Sequence, residues 1–303
     1  MIKKVLFLLI FGIALLTGCK SGTAADDKPV LTVSILPLSY FAEQLAGDHF
    51  RINVLVPPGV SHHNYDPTPR QLRELEKSKV LFVIGQLGFE KGWIPKMKSN
   101  YRDLDIVDLS TGISLIADNE GEGGHAGEQV QPAESGGHSH EGIDPHYWMS
   151  VMEARKMAAT MAGGLIRADP ACRQLVESNL VKLTARLDSL GMVMTLQFKD
   201  LKHRSFLIFH PALAYFARDY NLEQHSMELG GKEPTAAHFK KLVDLAAAEK
   251  INTIFIQKEY DQENAQTLAR ETGATIVVID PMSPDWFREM ENLAAKITEM
   301  DRR

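Results

Sequence analysis

Ser205-Phe206-Leu207-Ile208-Phe209-His210-Pro211 sets four apolar residues in a row, then an imidazole, then a proline. A short apolar run closed by a turn signal reads as a strand buried on both faces, as in a parallel sheet. Pro211 to Tyr220 then carries helical spacing. Outward from this point the grammar repeats. Leu222 to Leu229 is extended and Thr235 to Lys250 helical. Thr253 to Gln257 is a strand, and Gln262 to Thr272 a helix ending at Gly273. Thr275 to Ile279 is a strand, and Asp285 to Met300 the last helix.

The first half uses the same alternation. Val30 to Leu36 reads as a buried strand, Leu38 to Ala46 as a helix stopped by Gly47, and Arg51 to Val56 as a strand running into Pro57-Pro58-Gly59. Pro69 to Lys77 is a helix with proline in its first turn, where no amide donor is missed. Val80 to Ile84 and Asp105 to Leu109 supply two more strands. Alternation of this kind predicts an α/β fold of two lobes, each a mainly parallel sheet flanked by helices. Met152 to Ile166 is helical, and Asp169-Pro170 opens a helix running to Lys199 with Gly191 its only glycine. Asp169 suits the cap and Pro170 the first turn. The expected lobes are therefore 30–168 and 200–303, joined by a linker helix over 169–199.

The amino-terminal end has a different character. Lys3 and Lys4 precede an apolar run from Val5 to Leu16, too short for a membrane span and suited to an export signal. The run ends at Leu16-Thr17-Gly18-Cys19, which resembles a bacterial lipobox. That implies a signal peptide over 1–18, lipid on Cys19, and a small, polar tether over 19–29. The ordinary alternative is a plain secretory signal beside an incidental cysteine. The remaining chain of about 285 residues is long enough for two cores. The net charge of -6 argues against a nucleic-acid partner and suits a cationic ligand. Cys172 is the only other cysteine, so no internal disulfide is possible once Cys19 is modified.

Residues 118–142 break the pattern. They are rich in Gly, Glu and His, nearly devoid of apolar side chains, and read as a mobile loop. His125, His138 and His140 lie there among carboxylates, a composition suited to loose divalent-metal binding or to a solvated acidic linker. Other histidines follow strands or prolines: His62 and His63 after Pro57-Pro58-Gly59, His146 in Asp144-Pro145-His146-Tyr147-Trp148, and His210. Asp280 sits likewise between Ile276-Val277-Val278-Ile279 and Pro281. Ligands of open α/β sheets bind beyond the carboxyl ends of strands, so these four positions suggest a cleft site between the lobes. Spacing does not choose between His62 and His63.

These motifs together resemble the solute-binding proteins of bacterial ABC importers for zinc and manganese, most of all the zinc-uptake (ZnuA-type) branch, over about Val30 to Met300. The resemblance rests on Pro58-Gly59 through Tyr65-Asp66-Pro67, on Asp144 to Trp148, on Phe209-His210 with Tyr215-Phe216-Ala217, and on Asp280 before Pro281. It implies metal ligands at His63, His146, His210 and Asp280, with water an alternative in the fourth place. His62 stands where the family usually has proline and could lend a second imidazole. It also implies zinc as the transported ligand, a membrane permease as partner, a monomer anchored by lipid outside the cytoplasm, and small lobe motions. Three imidazoles with a carboxylate or water suit zinc, whereas manganese prefers more oxygen. A manganese or broad divalent-metal lipoprotein, or a storage or adhesin lipoprotein, is the alternative. A zinc hydrolase is disfavoured, since no His-Glu-x-x-His motif supplies a base; Glu233 and Glu259 read as surface or turn residues.

Overall fold

A computed structural model describes residues 28–62, 65–118, 142–229, 234–260 and 262–302. Two four-stranded sheets organise it. The first has the order β2-β1-β3-β4, from β1 (Val30–Val33), β2 (Arg51–Val54), β3 (Ser78–Val83) and β4 (Asp105–Asp108), all parallel. The second has the order β10-β9-β7-β8, from β7 (Ser205–Ile208), β8 (Glu223–Ser226), β9 (Thr253–Gln257) and β10 (Thr275–Ile279), again parallel. Two of the inner strands, β1 and β9, are buried along their whole length, which is why they read as largely apolar runs.

Helices cover the sheets: α1 (Pro37–Ala46), α2 (Pro69–Leu75) and α3 (Gly88–Asn100) in the first lobe, then α4 (Val151–Ala168). Helix α4 buries Ala154, Met157, Ala158, Met161, Ala162 and Leu165, a stripe at helical spacing. Gly164 lets it lie directly on the sheet, since a Cβ there would stand 2.6 Å from the Phe82 ring. The second lobe carries α6 (Ala214–Tyr220), α7 (Ala236–Glu249), α8 (Glu263–Thr272) and α9 (Trp286–Met300).

Between the lobes runs α5 (Arg173–Phe198), of 26 residues and thus roughly 39 Å long. A single 3-10 turn (Pro170–Cys172) precedes it, and the Asp169 side chain accepts from the Ala171 amide. The buried face of α5 (Val176, Leu183, Leu187, Leu190, Met194, Phe198) meets α1 and α4 of one lobe and α6 and α9 of the other. One hydrophobic core consequently runs from Leu31 through Trp148 to Phe206, Tyr215 and Trp286.

Two features were not expected from the sequence. Helix α3 contains Gly88, Gly92 and Pro95, residues that mask helical periodicity. A short antiparallel pair, β5 (Ala117–Asp118) with β6 (Gly142–Ile143), closes the two ends of the acidic insertion. The segment between them, 119–141, lies outside the described residues, and with it His125, His138 and His140. So do residues 1–27, including the signal and Cys19. Among the described residues no helix is long and apolar enough to cross a membrane.

Candidate metal centre

His62 and His210 are delivered by loops at the carboxyl ends of parallel strands, and His146 by the segment that follows β6. After β2, Leu55 and Val56 still donate to the Val33 and Ser34 carbonyls, and the chain then turns through Gly59, at φ 75°, to His62. His146 precedes a 3-10 turn (Tyr147–Met149) and is fixed by its own amide, which donates to Asp144 Oδ1 at 2.8 Å. His210 follows β7 directly. Its amide donates to Gln257 Oε1 at 3.3 Å, and the Gln257 amide group donates back to its carbonyl. All three side chains are buried, at 2%, 2% and 6% exposure.

The three Nε2 atoms converge. His62 Nε2 is 3.2 Å from His146 Nε2, and His210 Nε2 is 3.3 Å from the same atom. Carboxylates hold two of these rings from behind. His146 Nδ1 lies 2.8 Å from Asp144 Oδ1, and His210 Nδ1 lies 2.7 Å from Glu228 Oε2. A carboxylate only accepts, so each Nδ1 carries the proton and each Nε2 points a lone pair at its neighbours. Lone pairs that face each other at this distance repel unless a proton or a metal cation sits between them. Two nitrogens 2.0–2.1 Å from one tetrahedral ion stand about 3.3–3.4 Å apart, close to the spacing here. Burial pushes the His210 imidazole below its usual range, against the hydrogen bond to Glu228, which raises it. A depressed pKa keeps the ring neutral and able to coordinate. Aromatic walls exclude water: Tyr260 stacks on His210 at 5.5 Å between centroids, and Trp148 lies 5.1 Å from His146.

The structure thus brings together His62, His146 and His210, whose donor atoms all lie within 4.8 Å of one another. His63, the other candidate of the first turn, lies outside the described residues. Asp280 is not in that group. Its Oδ2 is 3.7 Å from Lys258 Nζ, and its amide donates to Glu289 Oε1 at 2.9 Å. Glu259 stands in the field of both Asp280 and His146. Burial raises its carboxyl first, the Asp280 charge adds to that, and His146 opposes.

The ligand set implied by the sequence was His63, His146, His210 and Asp280; of these the described structure groups His146 and His210, with His62 as the third imidazole, and the residues that support the rings were not named. Glu228, Gln257, Tyr260 and the role of Asp144 were missed. Glu228 had a usable signal. Strands β7 and β8 pair in parallel with Ile208 opposite Ser226, so two residues further on His210 and Glu228 are level.

Known proteins resemble this chain in sequence and in fold. The family model "ZnuA: Zinc-uptake complex component A periplasmic" matches residues 31–300. A solved structure titled "Crystal structure of ZnuA" has a TM-score of 0.81 and 33% identity, over 91% of this chain and 100% of that one. Among curated relatives, the high-affinity zinc uptake system protein ZnuA of Bacillus subtilis (strain 168) is 26% identical over 86% of this chain and 81% of its own length. The zinc-binding lipoprotein AdcA of Streptococcus pneumoniae (strain ATCC BAA-255 / R6) is 29% identical over 92% of this chain. This chain spans only 55% of that relative.

Proposed function

We propose, for a chain that belongs to the family of the periplasmic zinc-uptake complex component A, that the converging imidazoles of His62, His146 and His210 hold the zinc it carries. The chain is an extracytoplasmic zinc-binding component of an ABC uptake system, and its family is a transport component and not an enzyme. The fourth position on the ion is filled by Asp280 or by water, and His63 is the second imidazole the first turn can offer. Bound zinc satisfies the Nε2 lone pairs of His146 and His210, which otherwise face each other. The observation that carries this is the pairing of short Nε2 to Nε2 distances with Nδ1 atoms held by Asp144 and Glu228.

Ligand type supports zinc over manganese, since the site offers three nitrogens where manganese favours oxygen. Several further features complete the reading: a signal over 1–18, lipid on Cys19, a tether over 19–29, lobes over 30–168 and 200–303, and a linker over 169–199. The protein acts as a monomer and delivers zinc to a membrane permease. His125, His138 and His140 form a weaker, separate binding segment. Metal analysis of the purified full chain, followed by competition between zinc and manganese, tests the central claim. One tightly held zinc that manganese does not displace is expected; equal retention of both metals would overturn the selectivity.

A further inference from the structure

A second convergence of metal-ligating side chains lies elsewhere in the carboxyl-terminal lobe. Glu223 and His225 are two residues apart on the edge strand β8 and share one of its faces. The intervening Gln224 accepts from the Leu213 amide at 3.0 Å, which sets its side chain toward the segment leading into α6. Glu249, the last residue of α7, completes the group. The three donor atoms lie within 4.8 Å of one another.

The distances separate this group from ordinary ion pairs. His225 Nε2 is 3.5 Å from Glu249 Oε2 and 3.8 Å from Glu223 Oε1. Other imidazole–carboxylate pairs in the chain close much further: 2.7 Å for His210 with Glu228, and 2.8 Å for both His146 with Asp144 and His49 with Asp169. The His225 Nε2 atom is buried, yet it makes no hydrogen bond among the described residues. A hydrogen bond needs about 3.2 Å or less. A nitrogen and an oxygen bound to one tetrahedral ion at 2.0–2.2 Å stand roughly 3.4 Å apart. The spacing at His225 is therefore that of two ligand edges. The carboxyl end of α7 adds partial negative charge beside two carboxylates, which favours a cation there.

We propose that Glu223, His225 and Glu249 form a second divalent-cation site, distinct from the three-imidazole cleft. Register places it toward the opposite end of the sheet. Glu223 pairs with Ser205 and His225 with Leu207, whereas His210 lies beyond the carboxyl end of β7. That is roughly 10 to 17 Å along the strand direction. The side chains of Glu223, His225 and Glu249 are 41%, 18% and 34% exposed, so water has access to complete the coordination. One nitrogen with two partly exposed oxygens holds an ion less tightly than three buried imidazoles. Zinc occupies it only after the cleft is filled.

The test is titration of the full chain with zinc chloride, by equilibrium dialysis, for the natural protein and the variants Glu249→Gln, His225→Asn and His210→Ala. Glu249 is at an exposed helix end, so its replacement leaves the fold intact even if His225→Asn does not. Glu249→Gln is expected to lose one weak equivalent while the tight equivalent stays. His210→Ala is expected to do the reverse. Crystals of the zinc-saturated protein should show an anomalous peak between the three side chains. Unchanged stoichiometry in Glu249→Gln, or no peak, would overturn the site and leave an imidazole flanked by two carboxylates. The cleft reading fails separately, through His210→Ala alone.

Discussion

Replacing Glu228 with Gln asks how much of the zinc affinity comes from behind the ligand. Glu228 Oε2 sits 2.7 Å from His210 Nδ1, and both side chains are more than nine-tenths buried. Gln has almost the same shape, and its carbonyl oxygen can still accept the Nδ1 proton. The ring keeps its tautomer and its aim, and the change removes only the negative charge that makes the imidazole a stronger base. Losing a partner of this kind costs about 10- to 100-fold in metal affinity, or about 1.4 to 2.7 kcal/mol. Glu228→Ala goes further, because it leaves a buried N–H without an acceptor, at about 1–3 kcal/mol more. Competition against a chromophoric zinc chelator at neutral pH measures both, with circular dichroism to confirm folding. The expected order is natural protein, then Gln, then Ala. A change under about twofold for both variants, roughly 0.4 kcal/mol, would show that His210 does not coordinate through Nε2 with Glu228 behind it.

Three other outcomes are expected. His210→Glu should shift the zinc-to-manganese affinity ratio toward manganese, as oxygen replaces nitrogen; an unchanged ratio in a folded protein removes His210 from the site. Metal-free stability should fall as pH drops below about 6.5, because unfolded His210 takes a proton that the buried folded ring resists. Burial holds the Glu90 carboxyl at about 7, so it opposes that trend by taking its proton in the folded state first. Melting curves of Glu90→Gln across that range should therefore slope more steeply than those of the natural protein. Cys19→Ala should abolish incorporation of labelled lipid while zinc binding persists; retained label would contradict lipidation at Cys19.

The strands were legible because inner strands of a parallel sheet bury both faces, as Thr253–Gln257 does end to end; Thr275–Ile279 is equally apolar although it lies at the sheet edge and is buried only at Ile279. Strand ends were less legible. Ile35 and Leu36 are apolar enough to extend β1, yet the Ser39 amide already bonds the Leu36 carbonyl and the chain has turned into α1. Helix α3 was missed because its glycines and proline contradict local propensity, and packing of Phe89 and Met97 against the lobe overrides it. His210 stood out in the sequence as a polar residue where an apolar strand stops. The order of His62 and His63 was not legible, since two adjacent residues share one turn and only its backbone path decides which side chain enters the cleft. Glu228 and Asp144 needed strand register and loop geometry, information that pairs of residues carry and single positions do not.

Ligands drawn from two lobes usually suggest a site that opens by separating them, but the contacts around these ligands argue otherwise. Trp148, two residues after His146, donates through Nε1 to the Pro281 carbonyl at 3.0 Å, and Trp286 donates to the Trp148 carbonyl at 2.7 Å. Tyr215 of α6 donates to the Asp144 carbonyl at 2.7 Å and accepts from the Ile116 amide at 3.0 Å. Arg218, on the same helix, reaches Glu153 Oε1 at 3.0 Å and the Ser114 carbonyl at 3.0 Å. Parting the lobes would break these bonds, expose fully buried tryptophans and cut a core shared by both halves. Each buried hydrogen bond left unmade costs about 1–3 kcal/mol, and each tryptophan adds more from lost burial. Asp144 and Glu228 hold the rings of His146 and His210 from behind, so this pair belongs to the part of the molecule that those cross-lobe bonds keep together.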